Sequence, residues 1–311
     1  MVFILALQGY LLHAVLVQKT IIVLFLLAGN LSAQNVDIST VPPDLKVPVL
    51  TAGKPSAGLR VKQTLPIYEK TDVYHVLYLP TNWKPSGKYP VIVEFAGNGP
   101  YRNKFGDVST GHVEGSRLGY GISGGKGYIW LCLPYLNSAG TANVTRWWGS
   151  KPDHNPKPTI NYCKAAVMWV CQNYGGDSKR VVLAGFSRGA IACNFIGLHD
   201  DEIAKLWSAF IPYSHYDGVI TGWPYPGADR TSALIRLKRL GERPQFICGE
   251  GANANGTAAY LKKTGVKGQF TFIGTGFRNH SDAWTLRPSR ARAELRKWLA
   301  KSLKISVTAT E

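Results

Sequence analysis

Two periodicities alternate along the chain between residues 60 and 304. Short apolar runs, rich in β-branched and aromatic residues, recur at 73–79, 91–95, 128–133, 181–184, 207–211, 245–248 and 269–273, the pattern of strands buried on both faces. Between them, segments with helical spacing stand at 160–174, 190–198, 232–240, 257–263 and 289–303. In the first of these, apolar residues occupy 163, 166, 167, 170 and 171, and Gly175-Gly176 follows as a C-terminal stop. Strands alternating with helices, with no internal repeat, predict one α/β domain over 60–304 whose mostly parallel central sheet is covered by helices on both faces. Residues 34–59, rich in Pro, Gly and Ser, predict an extended lead-in, and 305–311 a tail.

Residues 1–33 read differently. Positions 1–29 are apolar apart from Gln8, His13 and a polar break at Gln18-Lys19-Thr20; a short uncharged run at 21–28 then leads to the small residues of Asn30-Leu31-Ser32-Ala33. A basic residue, a short apolar core and a small-residue site make a secretory signal peptide, so a secreted or periplasmic protein is expected. The apolar stretch 1–17 is atypical of such a leader and predicts that translation begins near Val15 or Val17, which N-terminal sequencing of the precursor checks. The competing reading is an uncleaved anchor, the one route to a membrane; each apolar segment falls short of the roughly 20 residues a span needs, but joined they suffice.

Composition narrows the class. The 311 residues are 45% hydrophobic and carry 36 Lys+Arg against 19 Asp+Glu, a formal charge of +17, which is globular rather than disordered. Five cysteines with no CxxC spacing exclude a cysteine-framework miniprotein and a metal knuckle. Cys163 and Cys171, eight residues apart on one helix, would stand about 12 Å apart, too far to bridge.

Gly185-Phe186-Ser187-Arg188-Gly189 lies between the strand ending at Ala184 and the small-residue helix starting at Ala190. A G-x-S-x-G at a strand-to-helix turn places a nucleophile in strained backbone, with glycines removing Cβ atoms that would clash across the turn. The alternative, a phosphate-cradling glycine loop, lacks the P-loop lysine and the G-x-G-x-x-G spacing. A serine nucleophile needs a base. Of seven histidines, His13 is in the leader, His75 in a strand, His112 and His154 in loops, His199 at a helix end and His215 after the 207–211 strand. Only His280 stands between the last strand and the last helix, a loop that opens on the same sheet edge as Ser187.

With these residues the chain resembles the α/β-hydrolase superfamily over 60–304. The resemblance implies that Ser187 is the nucleophile and His280 the base, and that carboxylic esters are cleaved through an acyl-enzyme without metal or cofactor. Secreted members that deacylate polysaccharides are similar in size and layout, which makes polysaccharide-linked acyl groups candidate substrates. A serine peptidase of the same fold is the enzymatic alternative, and a non-catalytic basic binding protein on this scaffold the other.

The acid departs from the superfamily pattern. Where Gly-x-x-Asp usually follows the 245–248 strand, the chain reads Gly249-Glu250-Gly251-Ala252, so the aspartate position holds alanine. Glu250, Asp217 after the preceding strand, and a dyad without acid remain open; Asp282 reads as a loop-fixing or surface charge. The oxyanion donors expected are the N–H of Arg188, directly after the nucleophile, and that of Asn98 or Gly97 in the loop after 91–95.

Aromatic residues cluster in loops on this edge. Trp147-Trp148 and Trp223-Pro224-Tyr225 offer a stacking surface for a sugar or aromatic acyl group, with Trp148, Trp223 and Tyr225 as the candidate contacts; core packing under a loop is the other reading. The positive charge lies mostly near the C-terminus: from Asp229 to Lys304 there are 16 Lys+Arg against 5 Asp+Glu, with seven of the former between Arg287 and Lys304. Either a solvated basic helix face or attraction to an acidic polysaccharide explains it, and nucleic acid is not expected as a partner.

Overall fold

The computed structural model describes residues 35–305; the leader read at 1–33 and positions 306–311 of the tail lie outside the described residues. In chain order the strands and helices begin with β1 (Leu50–Thr51), β2 (Arg60–Gln63), β3 (His75–Tyr78), β4 (Tyr89–Phe95) and a hairpin of β5 (Tyr101–Arg102) and β6 (Val108–Ser109). Helix α1 (Leu118–Ser123), β7 (Ile129–Leu133), a second hairpin of β8 (Tyr135–Leu136) and β9 (Asn143–Val144), α2 (Lys157–Asn173) and β10 (Gly176–Phe186) follow. Then come α3 (Arg188–Phe195), α4 (Asp201–Ala204), β11 (Ala209–Tyr213), α5 (Arg230–Leu237), β12 (Gln245–Gly249), α6 (Asn255–Thr264), β13 (Phe270–Gly274) and α7 (Arg290–Ser302).

Nine strands pair in the order β1-β2-β3-β7-β4-β10-β11-β12-β13. Only β3 runs against its neighbours β2 and β7; the other pairs are parallel. The two faces of β10 show why its sequence is continuously apolar. Val181 and Leu183 pack with α2 and α3, while Val182 and Ala184 pack with α1 and α7. All seven residues of β4 are buried, and each large aliphatic side chain removed from water in this way contributes about 1.5–3 kcal/mol. The chain passes from β4 through α1 on one face to β7, then through α2 on the other face to β10. The crossover therefore reverses at β4, and the crevice at the carboxyl ends of β4 and β10 is the switch point where such sheets bind ligands.

Two parts of the fold were not legible as elements. Helix α1, Leu-Gly-Tyr-Gly-Ile-Ser, has poor helix formers and exists through tertiary contacts. The buried Glu94 carboxylate of β4 accepts the amides of Arg117, Leu118 and Gly119 at its start, together with the indole N–H of Trp130. A Cβ on Gly119 would stand 2.1 Å from the Trp130 ring, so glycine is required there by proximity. The lead-in also contributes strand β1, which pairs with β2, and a strap before it. Val36 bridges Phe277, Ile38 N–H donates to Asn279 Oδ1 at 2.7 Å, and Asp37 pairs with Arg278.

The basic C-terminal segment is in part the other half of this strap. Arg287 donates to the carbonyls of Ile38 and Val41, Arg292 pairs with Asp44, and Arg296 grips the carbonyls of Gly121 and Ile122 at the end of α1. Lys297, Lys301 and Lys304 remain exposed. Among the described residues no helix is long and apolar enough to cross a membrane.

The strap has a pH signature. The amide and hydroxyl of Ser39, and then Arg278, hold the Asp37 carboxyl down at about 2 from an ordinary 3.8. A carboxyl lowered in the folded state stabilises above its unfolded value and loses that contribution as pH falls through its folded value. The exchange protection of the Ile38 amide is therefore expected to drop between pH 4 and pH 2 while the amides of β10 stay protected. Unchanged Ile38 protection over that range would contradict the pinning.

Candidate active site

Parallel strands deliver their following loops to one edge. Here β4 delivers 96–99, β10 delivers Ser187, β11 delivers Ser214, β12 delivers Glu250 and β13 the loop with His280. Ser187 has φ 55° and ψ −114°, a conformation costing of order 1–3 kcal/mol for a residue with a side chain. Its surroundings enforce it. A Cβ on Gly185 would lie 2.1 Å from the carbonyl oxygen of Gly189, and one on Gly189 would lie 1.9 Å from that of Phe95. The Ser187 amide donates to the Tyr213 carbonyl at 3.0 Å, tying the turn to β11.

His280 Nε2 lies 3.1 Å from Ser187 Oγ, and His280 Nδ1 lies 2.6 Å from Glu250 Oε1. With Glu250 as acceptor-only partner, the network assigns the proton to Nδ1 and leaves Nε2 as the acceptor for the serine hydroxyl. Burial pushes the Glu250 carboxyl up, but the hydrogen bonds it accepts from His280 and Ser214 outweigh burial and hold it below the ordinary glutamate value. Glu250 thus stays ionised where it faces the imidazole. The Glu250 turn is fastened to the histidine loop by Gly251 N–H donating to Phe277 O at 2.7 Å, and Ala252, at the usual aspartate position, is exposed.

Of the two carboxylates left open by the sequence, the structure brings only Glu250 to His280. Asp217 is buried and held bidentate by Arg236, with Nε to Oδ2 at 2.8 Å and Nη2 to Oδ1 at 3.0 Å. A carboxylate that neutralises a buried guanidinium is not free to orient an imidazole. Asp282 is likewise buried, 3.9 Å from Arg117 Nη1, so it is not the surface charge that was one of its two readings.

The backbone N–H groups of Gly97, Asn98 and Arg188 have no acceptor among the described residues, so these donors are open at the edge. The Asn98 side chain is engaged: its Oδ1 accepts from Trp147 N at 2.8 Å. The Arg188 side chain is fully buried and bonds only to backbone carbonyls.

The expected stacking surface is corrected in two of three positions. Trp148 is fully buried and stacked on Phe195 at 4.4 Å, and Tyr225 is buried against Trp148 and Phe195; both are core beneath the loop, because their rings fill the space over α3. Trp223 is half-buried, and the partly exposed neighbour it meets is Trp147, at 5.0 Å. Trp223 also stacks on His215 at 5.7 Å and 20°, and His215 lies 5.4 Å from His280. His280, His215, Trp223 and Trp147 therefore form an arc that ends at the loop carrying Gly97 and Asn98. Among the described residues no group of three or more His, Cys, Asp or Glu side chains is placed to hold a metal.

Three residues of this surrounding were not among the named site candidates. Trp147 was one residue from a named candidate. Ser214, at φ 86°, places its hydroxyl 3.0 Å from both His215 Nδ1 and His280 Nδ1. Asp107, in the turn of the β5–β6 hairpin, accepts His280 N–H at 2.9 Å, Asn279 Nδ2 at 2.9 Å and Asn103 Nδ2 at 2.8 Å. Nothing in the sequence links 107 to 280; the positive φ at Ser214 and the His215 stack are likewise tertiary. Asn279, which stands in a glycosylation sequon, is buried in this network and presents no acceptor nitrogen to solvent.

No family model matches the chain, and no curated protein does. Solved structures share its fold. An isopeptidase, AtxE2, is 13% identical with a TM-score of 0.52, over 81% of this chain and 41% of that one. An S-formylglutathione hydrolase from Agrobacterium tumefaciens is 14% identical with a TM-score of 0.51, over 78% and 94%. A thermostable esterase is 17% identical with a TM-score of 0.44, over 78% and 62%. The chain thus spans less than two thirds of the isopeptidase and of the thermostable esterase, and nearly all of the S-formylglutathione hydrolase. It has the α/β-hydrolase fold.

The Asp107 anchor is open to test. Asparagine offers one acceptor oxygen to three donors, so D107N leaves at least one donor facing an amide NH2, at a cost of about 1–3 kcal/mol. With His280 no longer fixed, fluorophosphonate labelling of Ser187 is expected to slow about tenfold or more, measured well below the variant's melting temperature. Labelling at the wild-type rate would show that Asp107 does not hold the base.

Proposed function

We propose that this protein is a serine hydrolase that cleaves carboxylic esters through an acyl-enzyme intermediate. The observation that carries the reading is the line Ser187 Oγ, His280 Nε2, His280 Nδ1, Glu250 Oε1 at 3.1 and 2.6 Å, set beside unengaged amides at the sheet's switch point. In this mechanism His280 Nε2 takes the proton as Ser187 Oγ attacks the carbonyl carbon. Glu250 fixes the tautomer and stabilises the imidazolium, and the amides of Arg188 and of Gly97 or Asn98 receive the developing oxyanion. His280 returns the proton to the leaving alcohol, and water repeats the sequence to release the acid.

The finer reading is that the acyl group or alcohol is ring-bearing, on a polysaccharide outside the cytoplasm. It is supported by the half-buried Trp223, stacked on His215, with Trp147 against it, by the exposed lysines near the C-terminus, and by the leader-like sequence at 1–33. A second reading, cleavage of a peptide or isopeptide amide by the same groups, draws on the likeness to the isopeptidase.

Fluorophosphonate labelling with peptide mapping tests the hydrolase reading: Ser187 is expected to be the labelled residue, S187A to be inert, and an unlabelled wild type would end the proposal. Turnover of acetyl, feruloyl, long-chain and anilide substrates then separates ester from amide cleavage. E250Q is expected to lower kcat by roughly 10³–10⁴-fold, as loss of the orienting acid does elsewhere. D217N, which strands a buried guanidinium, is expected to cost about 3–5 kcal/mol of stability while the protein that remains folded labels normally. The reverse pattern in a melting curve and a labelling assay would return Asp217 to the role of acid.

A further inference from the structure

The Arg188 guanidinium is a buried cation that joins no ion pair among the described residues. It lies over the Tyr135 ring at 3.8 Å, and burial lowers its pKa to about 10. Charge without a counter-charge is costly inside a protein, and an apolar side chain of similar length would fill the same space more cheaply. Every hydrogen-bond acceptor it has is a backbone carbonyl. Nη2 donates to Gly97 O at 2.8 Å and Gly111 O at 3.2 Å, Nη1 to Trp147 O at 2.6 Å, and Nε, at the long limit, to Ala96 O at 3.4 Å.

Two of these carbonyls set the direction of the oxyanion donors. In a planar trans peptide the C=O and the following N–H point in opposite directions. Drawing Ala96 O and Gly97 O inward onto the guanidinium turns Gly97 N–H and Asn98 N–H outward, away from it. These are two of the three amides left without an acceptor; the third belongs to Arg188 itself. The same side chain ties down Trp147, whose amide in turn holds Asn98 Oδ1. Tyr135 O–H adds a second donor to Ala96 O at 3.2 Å.

We propose that the Arg188 side chain is the positioning residue of the oxyanion hole: its fork orients the Gly97 and Asn98 amides, and its unpaired charge favours the anionic tetrahedral intermediate over the neutral ester. The inference rests on Ser187 acting as the nucleophile. It assigns Arg188 two parts, a backbone donor that touches the oxyanion and a side chain that acts through the facing loop. Mere packing would need neither a charge nor a fork with five donors.

The test uses full-length wild type, R188K and R188M. Each is assayed for kcat and KM on an ester the wild type hydrolyses, for affinity toward an alkyl boronic acid, which forms an anionic tetrahedral adduct on Ser187, and toward a neutral ether analogue of the ester. Melting temperatures are recorded alongside. Because one oxyanion donor is worth about 10²–10³-fold in kcat, R188M is expected to lose about 100-fold or more and R188K, which keeps the charge without the fork, about tenfold. KM and ether affinity should stay within about threefold, while boronate affinity falls with kcat. If R188M does not fold, R188K alone decides. Wild-type kcat in R188K, or a boronate-to-ether affinity ratio equal to wild type despite a lower melting temperature, overturns the proposal. Failure of the wild type to react with fluorophosphonate would instead remove the hydrolase reading itself, so the two failures are distinguishable.

Discussion

Where the first turn of α3 meets β4, the backbones leave no room for a side chain. A methyl group on Gly189 would fall 1.9 Å from the Phe95 carbonyl oxygen, and one on Gly185 would fall 2.1 Å from that of Gly189. Because the helix starts so near the strand, Ser187 has to turn through a positive φ, and its side chain is thrown onto the sheet edge. The same proximity places the Arg188 side chain under the loop that leaves β4, where it meets that loop's carbonyls. The placing of the Ser187 side chain, the open amides and the cation beneath them are thus consequences of one backbone contact that only two glycines permit.

His280 and Glu250 are placed by a second device, the cross-linking of loops that leave neighbouring parallel strands. Ser187 bonds to the end of β11, Ser214 to the end of β12, Gly251 to the loop after β13, and His280 to the hairpin after β4. Each bond fixes one loop against the next, so the histidine does not rely on its own loop for orientation. The N-terminal strap and the Arg287, Arg292 and Arg296 side chains close this ring from outside, which accounts for much of the arginine in a segment that reads in sequence as a simple basic patch. Fixed groups of this kind are what electrostatic catalysis requires, since a donor that has to reorganise during the reaction loses most of its advantage.

The sequence by itself determined the sheet's class, the order of its main elements, and the positions of Ser187 and His280. These follow from local rules: apolar runs buried on both faces, helical spacing, glycines around a sharp turn, and the shared edge of parallel strands. Glu250 was within reach of such rules but not separable from Asp217, because the difference lies in which side chain is already paired, and the Arg236 partner is nineteen positions away on another element. Trp148 and Tyr225 failed as contacts for the same reason: adjacent positions in a loop face opposite ways, and only the packing over α3 shows which ring is inside. The tertiary structure alone decided that Asp107 holds the histidine and that Arg188 faces inward to four carbonyls, since both depend on segments between 41 and 173 residues apart in sequence being folded against each other.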